Sequence, residues 1–176
     1  MYEPVDALRL RRFMRRLGES GGVARVYLTG GATAVLRGWR SSTIDIDLLL
    51  VPDDDLLLRA IQELKDELHL NVEITGPSHF LPELPGWEER SGHLATEGKV
   101  HFYEYDLYSQ VLAKVERAHA KDLEDVRHAL GDGEIKRAEL WRLFEAIVPQ
   151  LHRFPAVDPK SFRKRLESLV GPRDTD

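Results

Sequence analysis

The stretch from Tyr27 to Leu50, YLTGGATAVLRGWRSSTIDIDLLL, constrains the fold of this chain more than any other. A strand either alternates apolar and polar residues or stays apolar when both of its faces are buried. Here a β-rich run, VARVYLT (Val23 to Thr29), ends at Gly30-Gly31. A short helical segment, ATAVLRGW, follows, and the next β-rich run, STIDIDLLLV, carries Asp45 and Asp47. Residues two apart on a strand share a face. The two carboxylates therefore project together, and Ile44, Ile46 and Leu48 are expected on the other side, in the core. At about 3.3 Å of rise per residue their Cα atoms stand ~7 Å apart, and the charges repel unless something positive lies between them.

A divalent cation suits that position. Mg²⁺ takes hard oxygen ligands, keeps several waters, and commonly binds through one or two carboxylates together with substrate phosphates. The glycines fit the same picture. They let the backbone of TGGAT approach closely, and their N–H groups with the next helix N-terminus form an anion cradle to which the Thr29 and Thr33 hydroxyls can add. A GG turn alone, or D-x-D alone, is usually structural. In the order strand, GG, helix, strand, D-x-D they describe one nucleotide site, with phosphate at the turn and metal on the second strand.

Around this motif, Val5 to Leu17 reads as an amphipathic helix with Leu10, Phe13, Met14 and Leu17 at helical spacing, broken by GESGG. Pro52 stops the second strand, and DDDLLLRAIQELKDEL is a helix. Its triplet Asp53-Asp54-Asp55 is read as a cap and first-turn carboxylates, not as a metal site. LNVEIT (Leu70 to Thr75) is a third strand. Ser78 to Gly98 reads as a long irregular excursion, and KVHFYEYD returns to strand. Asp106 can cap the helix LYSQVLAKVERAHA. A break near His119-Ala120 would make Asp122 an N-cap and put Asp125 at the capping-box position. Helices continue through AELWRLFEAIVPQLH, and the tail from Val170 is expected to fray. The order implies an α/β or α+β lobe followed by helices.

At 176 residues, with 42% hydrophobic and 31% charged residues, the chain can build a real core. It has no Cys, so thiolate metal sites, thiol nucleophiles and disulfides are excluded. No apolar run approaches the ~18 residues of a membrane span, and MYEPVDALRLRRFMRR lacks a signal-peptide core, so a cytoplasmic protein without membrane partners is expected. The seven histidines make no H-E-x-x-H pattern, and neither G-x-S-x-G nor a P-loop is present. A net charge of −5 argues against generic nucleic-acid binding, yet Arg9, Arg11, Arg12, Arg15 and Arg16 crowd the first helix.

The core motif resembles the nucleotidyltransferase superfamily that includes DNA polymerase beta: Leu28-Thr29-Gly30-Gly31, thirteen residues, then Asp45-Ile46-Asp47. A second block, Asp106 to Leu130, looks like the AbiEii/MenA-type toxins and related minimal nucleotidyltransferases. The resemblance implies a mixed sheet flanked by helices as a nucleotidyltransferase core over residues 1–106. A helical lobe packed on it over 107–170 and a disordered tail over 171–176 would follow. It implies an NTP co-substrate with Mg²⁺ or Mn²⁺ on Asp45 and Asp47, and nucleotide binding by Gly30, Gly31 and Thr33. Lys114 becomes a nucleotide-contacting lysine, and Asp122, with Asp125, a later acidic motif. The superfamily's third carboxylate, more often Asp, falls on Glu73, with Glu104 and Asp106 as alternatives.

The expected reaction moves an NMP to a hydroxyl and releases pyrophosphate. Toxin relatives and the arginines, Arg25, Arg37 and Arg40 among them, point to RNA or a tRNA 3′ end as acceptor and to a cognate antitoxin as partner. A protein hydroxyl and a small molecule stay open as acceptors, as does an inactive nucleotide- or RNA-binding module of the same fold.

Overall fold

The computed structural model describes residues 1–174, and the chain divides into two compact units. The first comprises Met1–Gly76 with Ser91–Tyr105, the second Pro77–Arg90 with Asp106–Asp176.

The first unit holds α1 (Ala7–Gly18), β1 (Ala24–Thr29), α2 (Gly31–Leu36), β2 (Asp45–Val51), α3 (Asp55–Glu67) and β3 (Asn71–Ile74). After the excursion it adds a further two strands, β4 (Gly92–Glu97) and β5 (Val100–Glu104), with α4 (Trp87–Arg90) falling in the second unit. The strands form one mixed sheet in the order β3-β2-β1-β5-β4. β1 runs antiparallel to β2 and parallel to β5, β2 runs parallel to β3, and β4 with β5 makes an antiparallel hairpin. This is the mixed α/β class expected from the sequence.

Strand period fixes what each face carries. Along β2, Ile46, Leu48 and Leu50 are buried while Asp45, Asp47, Leu49 and Val51 alternate with them as half-exposed positions. The buried set joins Val26, Leu28, Val72, Val100 and Phe102 in one apolar cluster. Leu10, Phe13, Met14 and Leu17 of α1 and Leu57, Ile61 and Leu64 of α3 belong to the same cluster. Burying each such side chain contributes about 1.5–3 kcal/mol. Both long helices therefore cover one face of the sheet, and the carboxylates project from the other. Asp54 caps α3, accepting from the Leu57 N–H at 3.0 Å and the Val23 N–H at 3.2 Å, which gives the acidic triplet its capping task.

Three expectations change. Ile44 is 51% exposed and lies outside the core. The β2 ladder begins only at Asp45, because Thr43 is engaged by Val5 in an isolated two-way backbone bridge. The stretch from Ser78 to Gly98 is not irregular throughout, since Gly92–Glu97 is the edge strand β4. Glu97 pairs with Val100 across the two-residue turn Gly98-Lys99, with Gly98 at φ +60°, a glycine-first hairpin turn. The third change lies in the second unit.

There, α5 (Leu107–Arg117) contacts α6 (Ala120–Gly131), α7 (Arg137–Ile147) and α8 (Pro159–Val170). Asp106 caps α5 through the Tyr108 and Ser109 N–H groups and also takes a two-pronged grip from Arg90 at 2.9 and 2.8 Å. Ala118 adopts φ +57° and ends α5. The chain then restarts with His119 as the N-cap and Asp122 as the third helical residue of a capping box, so Asp122 is not itself the N-cap. Trp141, Phe144 and Phe162 pack edge to face at 5.6 and 4.9 Å in the helical core. Gly171 accepts from the Trp141 indole N–H at 3.1 Å and Asp174 pairs with Arg137 at 3.0 Å. The last two positions of the expected 171–176 tail, Thr175 and Asp176, lie outside the described residues. Among those residues no helix is long and apolar enough to cross a membrane.

The β4–β5 turn gives a direct stability test. A Cβ on Gly98 would stand 2.5 Å from the Gly18 carbonyl oxygen, at a φ that side chains rarely adopt. Gly98→Ala is expected to lower unfolding stability by about 2 kcal/mol, read as a reduced urea midpoint with an unchanged slope.

Candidate functional site

The register of the sheet assembles the site. Thr29 of β1 stands opposite Asp47 of β2, and Asp47 stands beside Glu73 of β3, while Asp45 stands beside Asn71. Paired neighbours project to the same side, so Thr29, Asp45, Asp47, Asn71 and Glu73 form one polar patch on the face away from α1 and α3.

At its edge lies the turn. Gly30 has φ +63°, ψ −134°, and a Cβ there would sit 2.7 Å from Asp47 Oδ2. Both the conformation and the close approach demand glycine. Gly31 is constrained by space alone, because a Cβ would collide with Thr43 Oγ1, with the Arg40 guanidinium 3.4 Å away. The two glycines thus serve to press the turn onto β2, so that a carboxylate and the first backbone N–H groups of α2 adjoin. Thr33 is buried and its hydroxyl donates to the Gly30 carbonyl at 2.9 Å, bracing the turn. Thr43, in turn, donates its hydroxyl to the Asp45 carbonyl at 3.2 Å.

Asn71 supplies a contact that sequence reasoning missed. Its Nδ2 donates to Asp45 Oδ1 at 2.6 Å and to Glu73 Oε1 at 3.2 Å, so one amide sits between two carboxylates. The signal for it was present: in NVEI, Asn71 is two residues before Glu73 and shares its face. The register that brings it to Asp45 is not readable from the strand itself.

The alternatives for the third carboxylate separate on geometry. Glu104 is in register with Leu28, hence on the opposite face from Asp47, and is held by both prongs of Arg37, one at 2.7 Å. Asp106 is committed to Arg90 and the α5 cap. Glu73 is exposed and stands next to Asp47.

Lys114, Asp122 and Asp125 come together in the second unit, all three buried. Lys114 Nζ donates to Asp125 Oδ2 at 2.6 Å and lies 4.0 Å from Asp122 Oδ1. Asp122 is gripped by Arg117, with Nε at 2.7 Å, and accepts from the His119 N–H at 3.2 Å. Burial by itself would raise the Asp122 pKa. The Arg117 hydrogen bonds and the Arg117 and Lys114 charges outweigh it, so the carboxyl is held below the ordinary aspartate range.

The N-terminal arginines divide. Arg9 donates to the Pro4 and Leu68 carbonyls, and Arg16 takes Glu67 in a two-pronged pair at 2.6 and 2.9 Å. Arg11, Arg12 and Arg15 are exposed. All five stand on α1, behind the sheet as seen from the carboxylates.

Hard oxygen donors, with a glycine turn that a Cβ would close, fit a hydrated divalent ion bound with phosphate. Among the described residues no group of three or more His, Cys, Asp or Glu side chains is placed to hold a metal ion.

Two stability effects follow from the buried ion pairs. Lys114→Met removes the cation from Asp125 and should lower stability by about 3 kcal/mol in urea unfolding. For Asp122, a depressed native pKa means its contribution is present above the ordinary aspartate value and lost as pH falls below about 4. Asp122→Asn should therefore lower the urea midpoint at pH 7 and narrow the gap between pH 7 and pH 3.

A family model described as a nucleotidyltransferase of unknown function (DUF6036) matches residues 7–150. No curated protein and no solved structure matches the chain. The matched span covers most of the chain, and the chain belongs to that nucleotidyltransferase family.

Proposed function

We propose, with that family membership as the premise, that the protein transfers an NMP from an NTP to a hydroxyl acceptor, RNA in the first place. The observation that carries the reading is the close approach of Asp47 to the Gly30 turn, which leaves no room for a Cβ. It supports a site in which a cation on the carboxylates and phosphate at the turn would lie side by side. Asp45 and Asp47 would hold a divalent cation, Mg²⁺ or Mn²⁺. When bound, the ion neutralises charge on the triphosphate as the α-phosphorus is attacked.

The chain's own groups account for the rest. The N–H groups at the start of α2, shaped by Gly30 and Gly31 and braced by Thr33, hold phosphate oxygens. Arg40, beside Gly31, adds positive charge there. The acceptor oxygen forms a bond to the α-phosphorus, the bond from that phosphorus to the bridging oxygen breaks, and pyrophosphate leaves. Glu73, exposed and beside Asp47, takes the hydroxyl proton. Asn71 positions Glu73 and Asp45 relative to each other.

Asp122 is the alternative to Glu73 as base, and the resemblance offers Lys114 as a phosphate partner. Each already has an ion-pair partner in its own unit, and a carboxylate with a lowered pKa is a weak proton acceptor. The reading therefore assigns the chemistry to Asp45, Asp47 and Glu73. A toxin role and an antitoxin partner rest on the resemblance alone, and growth arrest on expression is their test.

The reaction is checked by incubating the chain with each α-labelled NTP, Mg²⁺ and total tRNA beside an RNA-free control. Label is expected on RNA. Asp45→Ala and Asp47→Ala should each lower transfer at least about a hundredfold. Glu73→Gln should lower kcat by roughly 10²–10⁴-fold with little change in NTP affinity. Full transfer by the Asp45→Ala, Asp47→Ala double variant would overturn the reading.

A further inference from the structure

The polar face of the sheet continues past the carboxylates. In the same register, Arg25 and Tyr27 of β1 stand beside His101 and Tyr103 of β5, and His93 and Thr96 of β4 stand beside Tyr103 and His101. Arg25, Tyr27 and Thr29 are successive same-side positions of β1, so all of these groups share the face of Asp45 and Asp47.

Their rings form a run. Tyr27 is buried and stacks on Tyr103 at 5.3 Å between centroids. Tyr103 meets the His93 ring edge to face at 5.4 Å, and His93 stands 6.3 Å from His101. Moving outward, Tyr103 is half-buried, and His93, Thr96 and His101 are exposed. The Thr96 hydroxyl lies 2.9 Å from His93 Nε2 and 3.0 Å from His101 Nδ1 and pins both rings. Exposed imidazoles held in place by a shared hydroxyl lose little freedom when something flat settles on them. Arg25 adds a cation to this side, its guanidinium 6.0 Å from the Tyr27 ring centre.

An aromatic run with a cation beside it is the kind of surface single-stranded nucleic acid uses, because every base offers a π-face and every step a phosphate. Strand spacing and rise put His93 about 16 Å from Asp47 across the sheet, a span that a few unstacked nucleotides cover. The exposed arginines of α1, by contrast, lie on the other face.

We propose that His93, His101 and Tyr103, with Arg25, form a base-stacking subsite for the single-stranded 3′ end of an RNA acceptor whose terminal hydroxyl reaches the carboxylates. This rests on the nucleotidyl-transfer reading and adds to it where the acceptor lies. The bases beyond the terminal nucleotide stack on the imidazoles, Arg25 pairs with a backbone phosphate, and Thr96 keeps the rings oriented.

The test is binding, which does not depend on turnover. A fluorescein-labelled single-stranded oligoribonucleotide and an abasic version of the same length are titrated into the full chain by anisotropy, without NTP. The natural oligonucleotide should bind more tightly than the abasic one. His93→Ala with His101→Ala should weaken it at least about tenfold and erase the difference between the two ligands. His93→Phe with His101→Phe, which keeps the rings and removes the Thr96 bridge, should retain most of the affinity. Loss of binding only on Arg11→Ala, Arg12→Ala, Arg15→Ala substitution, or equal affinity for the two oligonucleotides in the unsubstituted protein, would overturn the subsite. Either result leaves the transfer reading standing if label still moves from NTP to another acceptor. Base-dependent binding to the strip, with no label transferred in any tube, supports the subsite and removes the enzyme.

Discussion

The close approach of Asp47 to the Gly30 turn, too close for any side chain on Gly30, organises the first unit. Antiparallel pairing of β1 with β2 brings Thr29 opposite Asp47. The chain must then leave β1 in a conformation open to glycine, or the next residue would strike the carboxylate. Everything near the site inherits its position from that closure. α2 begins where the turn delivers it, Thr43 packs under Gly31, and Asp45 follows two residues later on the same face. Replacing either glycine would move the turn away from β2 and separate a potential phosphate cradle from a potential metal edge.

Several charges of this protein are matched internally. Arg37 is matched to Glu104, Arg90 to Asp106, Arg117 to Asp122, Lys114 to Asp125 and Arg16 to Glu67. Such pairs fix geometry more than they add stability when exposed, and their loss is severe when buried, because one charge is left without its partner. Asp45 and Glu73 share a single neutral amide from Asn71, which orients them without cancelling their charge. Carboxylates side by side on a strand next to a tight backbone turn would suit a bound cation, whereas Asp122 and Asp125 of the second unit each already have a basic side chain beside them.

Where the sequence reading succeeded, local physics was sufficient. Alternation in DIDLLL placed both aspartates opposite the core, and the four apolar residues of α1 stand in that core. Asp54 and Asp106 cap helices as their positions imply. It missed β4 because Gly-His-Leu-Ala-Thr-Glu is a mostly exposed edge strand, with a register shift between His93 and Ala95 that spoils period-two alternation. The Gly98-Lys99 turn after it was the legible clue. The start of α6 was displaced because Ala118, a residue without turn chemistry, takes the left-handed conformation that ends α5.

The sequence by itself determined the strand, the glycine turn, the paired carboxylates and the class of fold, because those follow from periodicity and backbone sterics within a few residues. Only the tertiary structure decided the rest. Register between strands distant in sequence put Asn71 beside Asp45, Glu73 beside Asp47, and Glu104 on the far face. Packing of α1 against the core face set its arginines behind the carboxylates, and pairing of the β4–β5 hairpin extended the polar face into a row of rings. A strand's own pattern says which residues share a side. Which other strand lies next to it is settled by burial and hydrogen bonding over the whole sheet.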